Sequence, residues 1–255
     1  MTPDLRRRAL ALSLVALGAL SAAAATPVRA QAGNITPFSQ GAAGAALPGP
    51  WKLVTLPKIP RHTVYRIELD EGRPVLRARA DASYGTLVHA LRADPAATPV
   101  LEWRWRVDET PARADLRSKA GDDLAAKVCV FFDLPLERLG AADRVKIRLG
   151  RSLFDPELPA ATLCYVWDRT AAPGTLLNNA YTDRVRYLVL RSEAAGDLGR
   201  WTTERRRLDR DFALAFGAEA EGGVPMLSGV ALATDADNTG GSARASYGDL
   251  RLVRE

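Results

Sequence analysis

Histidine and cysteine are scarce in this chain, and their scarcity removes whole classes of chemistry. Two histidines, His62 and His89, and two cysteines, Cys129 and Cys164, are all that its 255 residues contain. A structural zinc site needs several such ligands in close spacing, and the sequence holds no CxxC pair and no Cys/His cluster. A histidine-based catalytic triad is poorly supplied for the same reason. Long apolar runs are also missing: the stretch from Ala9 to Leu20 falls short of the roughly 20 residues that cross a bilayer. No internal period of about 20 to 50 residues appears, which excludes repeat arrays.

What is present at the N-terminus is an export pattern. Arg6-Arg7-Arg8 precedes the Ala9 to Leu20 stretch, and a small-residue tract ends in Val28-Arg29-Ala30 before Gln31. This predicts a signal peptide over residues 1–30, removed on delivery to the periplasm or beyond. The adjacent arginines also suit a twin-arginine signal, so the export route stays open. No cysteine adjoins the predicted cleavage point, so neither a lipid anchor nor stable membrane insertion is expected of the mature chain. Residues 1–30 carry Arg6, Arg7, Arg8 and Arg29 against Asp4, a surplus of three positive charges, so the formal +5 falls to +2 without them. The basic pI therefore belongs largely to the leader, and a nucleic-acid partner is not expected. In an oxidising compartment Cys129 and Cys164, each inside an apolar strand-like run, either form one bridge or remain two buried thiols.

The clearest element lies at Val100 to Val107, where Leu101, Trp103, Trp105 and Val107 alternate with Glu102, Arg104 and Arg106. Alternation of this kind predicts a strand with one buried face and one charged face. Trp103 and Trp105 share the apolar face and are assigned to the core. Further strands are predicted over 51–56, 64–69, 75–80, 83–91, 127–133, 161–167, 185–191, 224–234 and 243–253. Asp70-Glu71-Gly72 has the spacing of a hairpin turn between two of them. A helix is predicted over 136–153, with Leu139, Ala142, Val145, Leu149 and Leu153 as its apolar stripe. A second is predicted over 208–216, with Gly217 placed to end it. Many short strands, Pro/Gly turns and only two helices predict a mainly β protein: an antiparallel β-sandwich of jelly-roll type with one or two short helices. It should occupy residues 50–255 as a single domain, after a flexible lead-in at 31–49.

Several motifs occur together and in order: Gly121-Asp122-Asp123, Leu163-Cys164-Tyr165-Val166-Trp167, Tyr181-Thr182-Asp183-Arg184-Val185-Arg186, Asp211-Phe212 with Phe216-Gly217, and Asp235-Ala236-Asp237-Asn238-Thr239. In these the chain resembles the bacterial domain-of-unknown-function family 3047, over about Trp51 to Leu252. The resemblance implies an exported, β-rich, single-domain envelope protein and implies no activity. The closing strand with Tyr247-Gly248-Asp249 is also similar to the last hairpin of lectin-like and carbohydrate-binding jelly rolls.

Candidate site residues follow from the same motifs. Asp235-Ala236-Asp237-Asn238-Thr239-Gly240 has oxygen side chains at positions 1, 3 and 5 and glycine at 6, as a calcium loop does, although its twelfth position is Ser246. Asp235, Asp237 and Asn238 are thus the candidate ligands for one structural calcium; the same residues also suit a loop that caps its own backbone. Asp122 and Asp123 are candidates for acid–base work or for pairing with Arg104 or Arg106. Trp167 and Trp201, each beside charged residues, are placed for a binding rim where an indole could stack on a sugar. Glu102, Arg104 and Arg106 form a polar face suited to an anionic ligand.

The reading these features support is a non-enzymatic periplasmic module that binds a carbohydrate or other polar envelope ligand through Glu102, Arg104, Arg106, Asp122, Asp123, Trp167 and Trp201. One alternative is a polysaccharide hydrolase or lyase with paired carboxylates, for which Asp183, Glu204 and Asp211 are further candidates. The other is a structural or protein-interaction module of the envelope.

Overall fold

A computed structural model of the chain describes residues 31–32, 34–153 and 158–254. The signal peptide expected over residues 1–30 lies outside the described residues. The protein is mainly β and is built from two sheets. The larger comprises β1 (Gln31–Ala32), β2 (Lys52–Val54), β5 (Thr86–Ala93), β7 (Ala126–Phe132), β8 (Ala161–Asp168), β9 (Leu176–Asn178), β10 (Val185–Ser192) and β12 (Leu227–Ala233). Its order is β1-β5-β12-β7-β8-β10-β9, with β2 beside β1 on the outer edge of β5. The smaller sheet comprises β3 (Val64–Asp70), β4 (Arg73–Asp81), β6 (Val100–Glu109), β11 (Thr202–Arg207), β13 (Ser242–Tyr247) and β14 (Arg251–Val253). Its order is β11-β6-β13-β4-β3, and β14 shares the β13 edge of β6.

The predicted alternation decides which face of each strand is buried. In β6, Leu101, Trp103, Trp105 and Val107 point inward and are at most 2% exposed. They meet Leu163, Tyr165, Val128, Val130 and Phe132 from the larger sheet in one continuous core. Trp103 packs edge-on against Trp105 and tilted over Tyr165, with centroids 5.5 and 5.1 Å apart. Between β3 and β4, Glu71 and Gly72 both have positive φ, at 51° and 75°, the backbone that a two-residue hairpin needs to match strand twist.

The larger sheet differs from a simple half-buried sheet. All eight positions of β8 are buried. The reason is a second apolar layer on its outer face, where Cys129, Cys164, Val166, Tyr187 and Val189 are covered by Leu116 and Leu124 of the β6–β7 connection. A strand covered on both faces reads as a continuous apolar run. In this layer Cys129 and Cys164 stand opposite each other in the β7–β8 register and form a disulfide. That settles the alternative between a bridge and two thiols.

Most ladders are antiparallel, as expected, but β8 pairs with β10 and β1 with β5 in parallel. The β8–β10 connection, residues 169–184, is long enough to return the chain to the far end of the sheet before it re-enters, which a tight hairpin cannot do. Both helices form, as α1 (Ala141–Leu153) and α2 (Leu208–Phe216). The face of α1 was misassigned. Ile147 is the buried residue, while Val145 and Leu149 of the predicted stripe are 64% and 56% exposed.

Part of the lead-in, at Ile35 and Phe38, packs in the core. Phe38 is fully buried and stacks on Trp51. The buried His89 accepts a hydrogen bond from Thr36 N at 3.0 Å, and Trp51 Nε1 donates to Thr36 O at 2.9 Å. Burial holds the His89 imidazole below its usual pKa, which suits an uncharged acceptor. Its role is structural. No helix among the described residues is long and apolar enough to cross a membrane.

Candidate functional site

Three connections meet over the outer face of the larger sheet, and each carries one of the motifs singled out above. The β6–β7 connection brings Asp122 and Asp123, the β9–β10 connection brings Asn179 and Tyr181, and the β12–β13 connection brings Asp235, Asp237 and Asn238. Lys127 of β7 and Tyr187 of β10 project into the same place from the sheet's outer face.

Hydrogen bonds show what each group does there. Asp122 accepts from Asn179 Nδ2 at 2.7 Å and from the Tyr187 hydroxyl at 3.2 Å. Asp123, 1% exposed, accepts from Asn238 N at 3.1 Å and Thr239 N at 2.7 Å, and so fixes the loop after β12. Asp235, 2% exposed, accepts from Leu124 N at 2.7 Å and from Lys127 Nζ at 2.5 Å. Asn238 Oδ1 accepts from the Tyr181 hydroxyl at 2.9 Å. A buried network continues inward: Thr234 Oγ1 lies 2.9 Å from the Tyr247 hydroxyl and donates to Ala125 O at 2.8 Å.

Two expectations change. Adjacent Asp122 and Asp123 reach different loops from a tight turn, in which Asp123 N donates to Gly121 O at 2.7 Å and Asp122 has φ −73° and ψ 56°, and neither pairs with Arg104 or Arg106. Both are occupied in fastening loops of the larger sheet. The calcium set does not converge either. Asp235 already faces an ammonium group, the Asn238 oxygen is held by Tyr181, and no metal-holding group of three or more His, Cys, Asp or Glu side chains occurs among the described residues.

Asp237 is the exception within the cluster. Its Oδ1 is buried and has no hydrogen-bond partner among the described residues. Burial, then the neighbouring charges of Asp235 and Asp123, push its pKa from 3.8 up to about 6. Burial likewise raises the Asp122 carboxyl, opposed by Lys127. Tyr181, 57% exposed, forms the outer wall, with Lys119 Nζ 5.2 Å from its ring centroid. Because the folded state holds the Asp237 proton more tightly than the unfolded chain, its contribution to stability falls as pH rises from about 4 to about 6. We expect Asp237→Asn to remove that part of the slope and to be more stable than wild type at pH 7. Urea unfolding at pH 4.5 and pH 7 checks this; equal pH slopes in the two proteins would count against it.

The remaining predicted residues lie elsewhere. Glu102, Arg104 and Arg106 occupy the outer face of the smaller sheet, together with Trp201. Trp201 Nε1 donates to Asp70 at 2.6 Å, and the Arg104 and Arg106 guanidiniums lie 4.5 and 5.3 Å from its ring centroid. Arg106 is neutralised by Asp70 and Asp108. Trp167 is not at a rim: it is 1% exposed in the central core, because the strand-end charges beside it turn away while its own side points between the sheets. Glu204 is held by Trp105 Nε1 and Arg191, and Asp211 by Arg206 and the Tyr165 hydroxyl. Asp183 is exposed. These acids therefore supply no pair with the loop cluster. Lys127, Asn179, Tyr181 and Tyr187 had no assigned role from sequence. Tyr181 belongs to one of the ordered motifs and the others lie close to one, but the groups they touch belong to other motifs, far away in sequence.

The fold and its fastened loops define a two-sheet, mainly β protein with a polar, acid-rich cluster over the outer face of the larger sheet. The chain belongs to the family described as Protein of unknown function (DUF3047), which matches residues 49–251. No curated protein matches it. Among solved structures, it is similar to the glycoside hydrolase domain of Endo-D from Streptococcus pneumoniae R6, with 11% identity and a TM-score of 0.33. That likeness covers 78% of this chain and 21% of the other, so this chain spans about a fifth of that protein's length. A likeness of this size carries no functional argument.

Proposed function

We propose that the protein is a periplasmic binding module for a carbohydrate or related polar envelope ligand, held beside Tyr181 and Asp237. The observation that carries this reading is an exposed aromatic ring beside a carboxyl group that lacks a donor. Tyr181 presents 57% of its surface, and Asp237 Oδ1 has no hydrogen-bond partner among the described residues. An aromatic face can lie against the apolar face of a pyranose while a carboxylate bonds its hydroxyls. The other acids of the cluster are engaged in holding the loops, so Asp237 is the carboxyl left for a ligand. The Cys129–Cys164 bridge supports the export part of the proposal, since disulfides persist in oxidising compartments.

A glycan array followed by thermal-shift titration with its hits tests the reading. One or more envelope saccharides should raise the melting temperature. Tyr181→Ala should weaken binding by about tenfold or more, equivalent to roughly 1.4 kcal/mol, in a variant that remains folded. If no saccharide shifts the protein, or if Tyr181→Ala binds as wild type does, the proposal fails.

One observation favours a hydrolase or lyase instead: a carboxyl with its pKa near 6 is matched to proton transfer at neutral pH. Turnover of an array hit that disappears in a folded Asp237→Asn variant would replace the binding reading with the enzymatic one.

A further inference from the structure

The outer face of the smaller sheet is rich in arginine, and most of these residues are paired. Arg77 meets Glu68, Asp70 and Asp108; Arg106 meets Asp70 and Asp108; Arg79 meets Glu68; Arg244 meets Glu109. Three arginines around one cleft are different. Arg73, Arg104 and Arg251 have no carboxylate within ion-pair distance among the described residues, and all three line a cleft of about 360 Å³. The two acids in its wall are already engaged. Glu102 pairs with Arg205, and both oxygens of Asp249 accept from Ser39, at 2.9 and 2.6 Å.

The register explains how these groups converge. Arg251 of β14 stands opposite Glu102, and Thr203 of β11 stands opposite Arg104, so all four project from the same face. Arg104 is held in place without a salt bridge. Its guanidinium lies over the Trp201 ring, 4.5 Å from the centroid. Its aliphatic stem runs across Gly248, where a Cβ would come within 2.5 Å of Arg104 Cγ and 2.8 Å of Nε. Glycine at 248 is therefore the residue that lets Arg104 lie flat. A cation fixed by stacking and by a glycine floor, and left without a counter-ion, has its hydrogen-bonding fork free for a ligand.

We infer that this cleft is a second binding site, specific for an oxyanion carried on a small polyol, such as a sugar acid or a sugar phosphate. Arg104, Arg73 and Arg251 take the carboxylate or phosphate, and Ser39 and Thr203 supply hydroxyls for the rest of the ligand. The inference goes beyond the loop site and does not depend on it, because the two lie on the outer faces of different sheets.

Isothermal titration of the protein with glucuronate, glucose 6-phosphate, inorganic phosphate and glucose tests it. At low ionic strength at least one of the anionic sugars should bind and glucose should not, with affinity falling as salt is added. Glucuronate without glucose 6-phosphate identifies a carboxylate site and the reverse a phosphate site; inorganic phosphate binding with neither sugar would overturn the inference. Arg104→Gln and the exposed Arg73→Gln and Arg251→Gln should each weaken binding by about tenfold. Gly248→Ala should do the same by displacing Arg104, and Tyr181→Ala should leave this binding unchanged. Should Arg104→Gln fail to fold, the two exposed variants still decide. Anions that bind no better than glucose, or binding that survives in the Arg73→Gln/Arg251→Gln double variant, would overturn the inference.

Discussion

Lys127→Met is expected to destabilise the protein by about 3–5 kcal/mol, the usual result of removing one partner from a buried ion pair. Burial opposes the Lys127 charge, yet the Asp235 carboxylate beside it holds the ammonium protonated well above the ordinary lysine range. Asp235 is 2% exposed and has one further donor, Leu124 N. Without Lys127 it must either ionise unpaired or take up a proton. Its pKa should rise, so the folded state would bind a proton that the unfolded chain does not hold. The penalty should therefore be small at acid pH and grow as pH rises toward neutrality. Lys127→Met/Asp235→Asn should recover much of the loss, since the amide keeps an acceptor for Leu124 N and brings no charge. Urea unfolding of the four proteins closes the double-mutant cycle. A loss below about 1 kcal/mol in the single variant, or no recovery in the double, would mean that solvent reaches Asp235 and that the pair is not a fastening of the site.

Reduction of the Cys129–Cys164 bridge is expected to cost about 2–4 kcal/mol. The cysteines are 35 residues apart in sequence. For a loop of that length the chain-entropy relation gives roughly 4 kcal/mol, and measured values commonly fall below it. The bridge joins the middles of β7 and β8, whose register already holds the two residues opposite each other. The effect should therefore act chiefly on the unfolded chain, with little change in the native fold. Urea midpoints with and without reductant measure it, and Cys129→Ala/Cys164→Ala should show no reductant dependence. A wild-type midpoint that does not move on reduction would remove the bridge from the account of stability.

Both experiments probe the loop cluster from below, because Lys127 and Cys129 lie on the same face of β7, under the connections that carry Asp122, Asp123 and Asn179. Part of this arrangement was legible in the residues. The β6 alternation correctly assigned Trp103 and Trp105 to the core and Glu102, Arg104 and Arg106 to the surface. The motifs around Asp122, Tyr181 and Asp237 were visible as separate segments. Their convergence was not visible, since nothing local records that three connections end at one place. Trp167 shows the opposite failure. Charged neighbours suggested a rim, but in a strand covered on both faces the neighbours say nothing about which way the side chain turns.

The sequence by itself determined most of the elements of this protein: period-two alternation specified many of the strands, the Asp70 to Gly72 turn specified a hairpin, and Gly217 marked the end of a helix. These depend on a residue and its near neighbours, and steric and hydrophobic effects act at that range. Strands β1, β9 and β11 were not predicted, and the strand expected over 243–253 is two, β13 and β14. Only the tertiary structure decided the rest. It paired Cys129 with Cys164, joined Lys127 to Asp235, and, among the described residues, left Asp237 Oδ1 without a donor and Arg104 without a counter-ion over Trp201 and Gly248. Each is a contact between segments far apart in the chain. Which partner a charged or polar side chain meets there is set by strand order and register, and neither is written in local pattern.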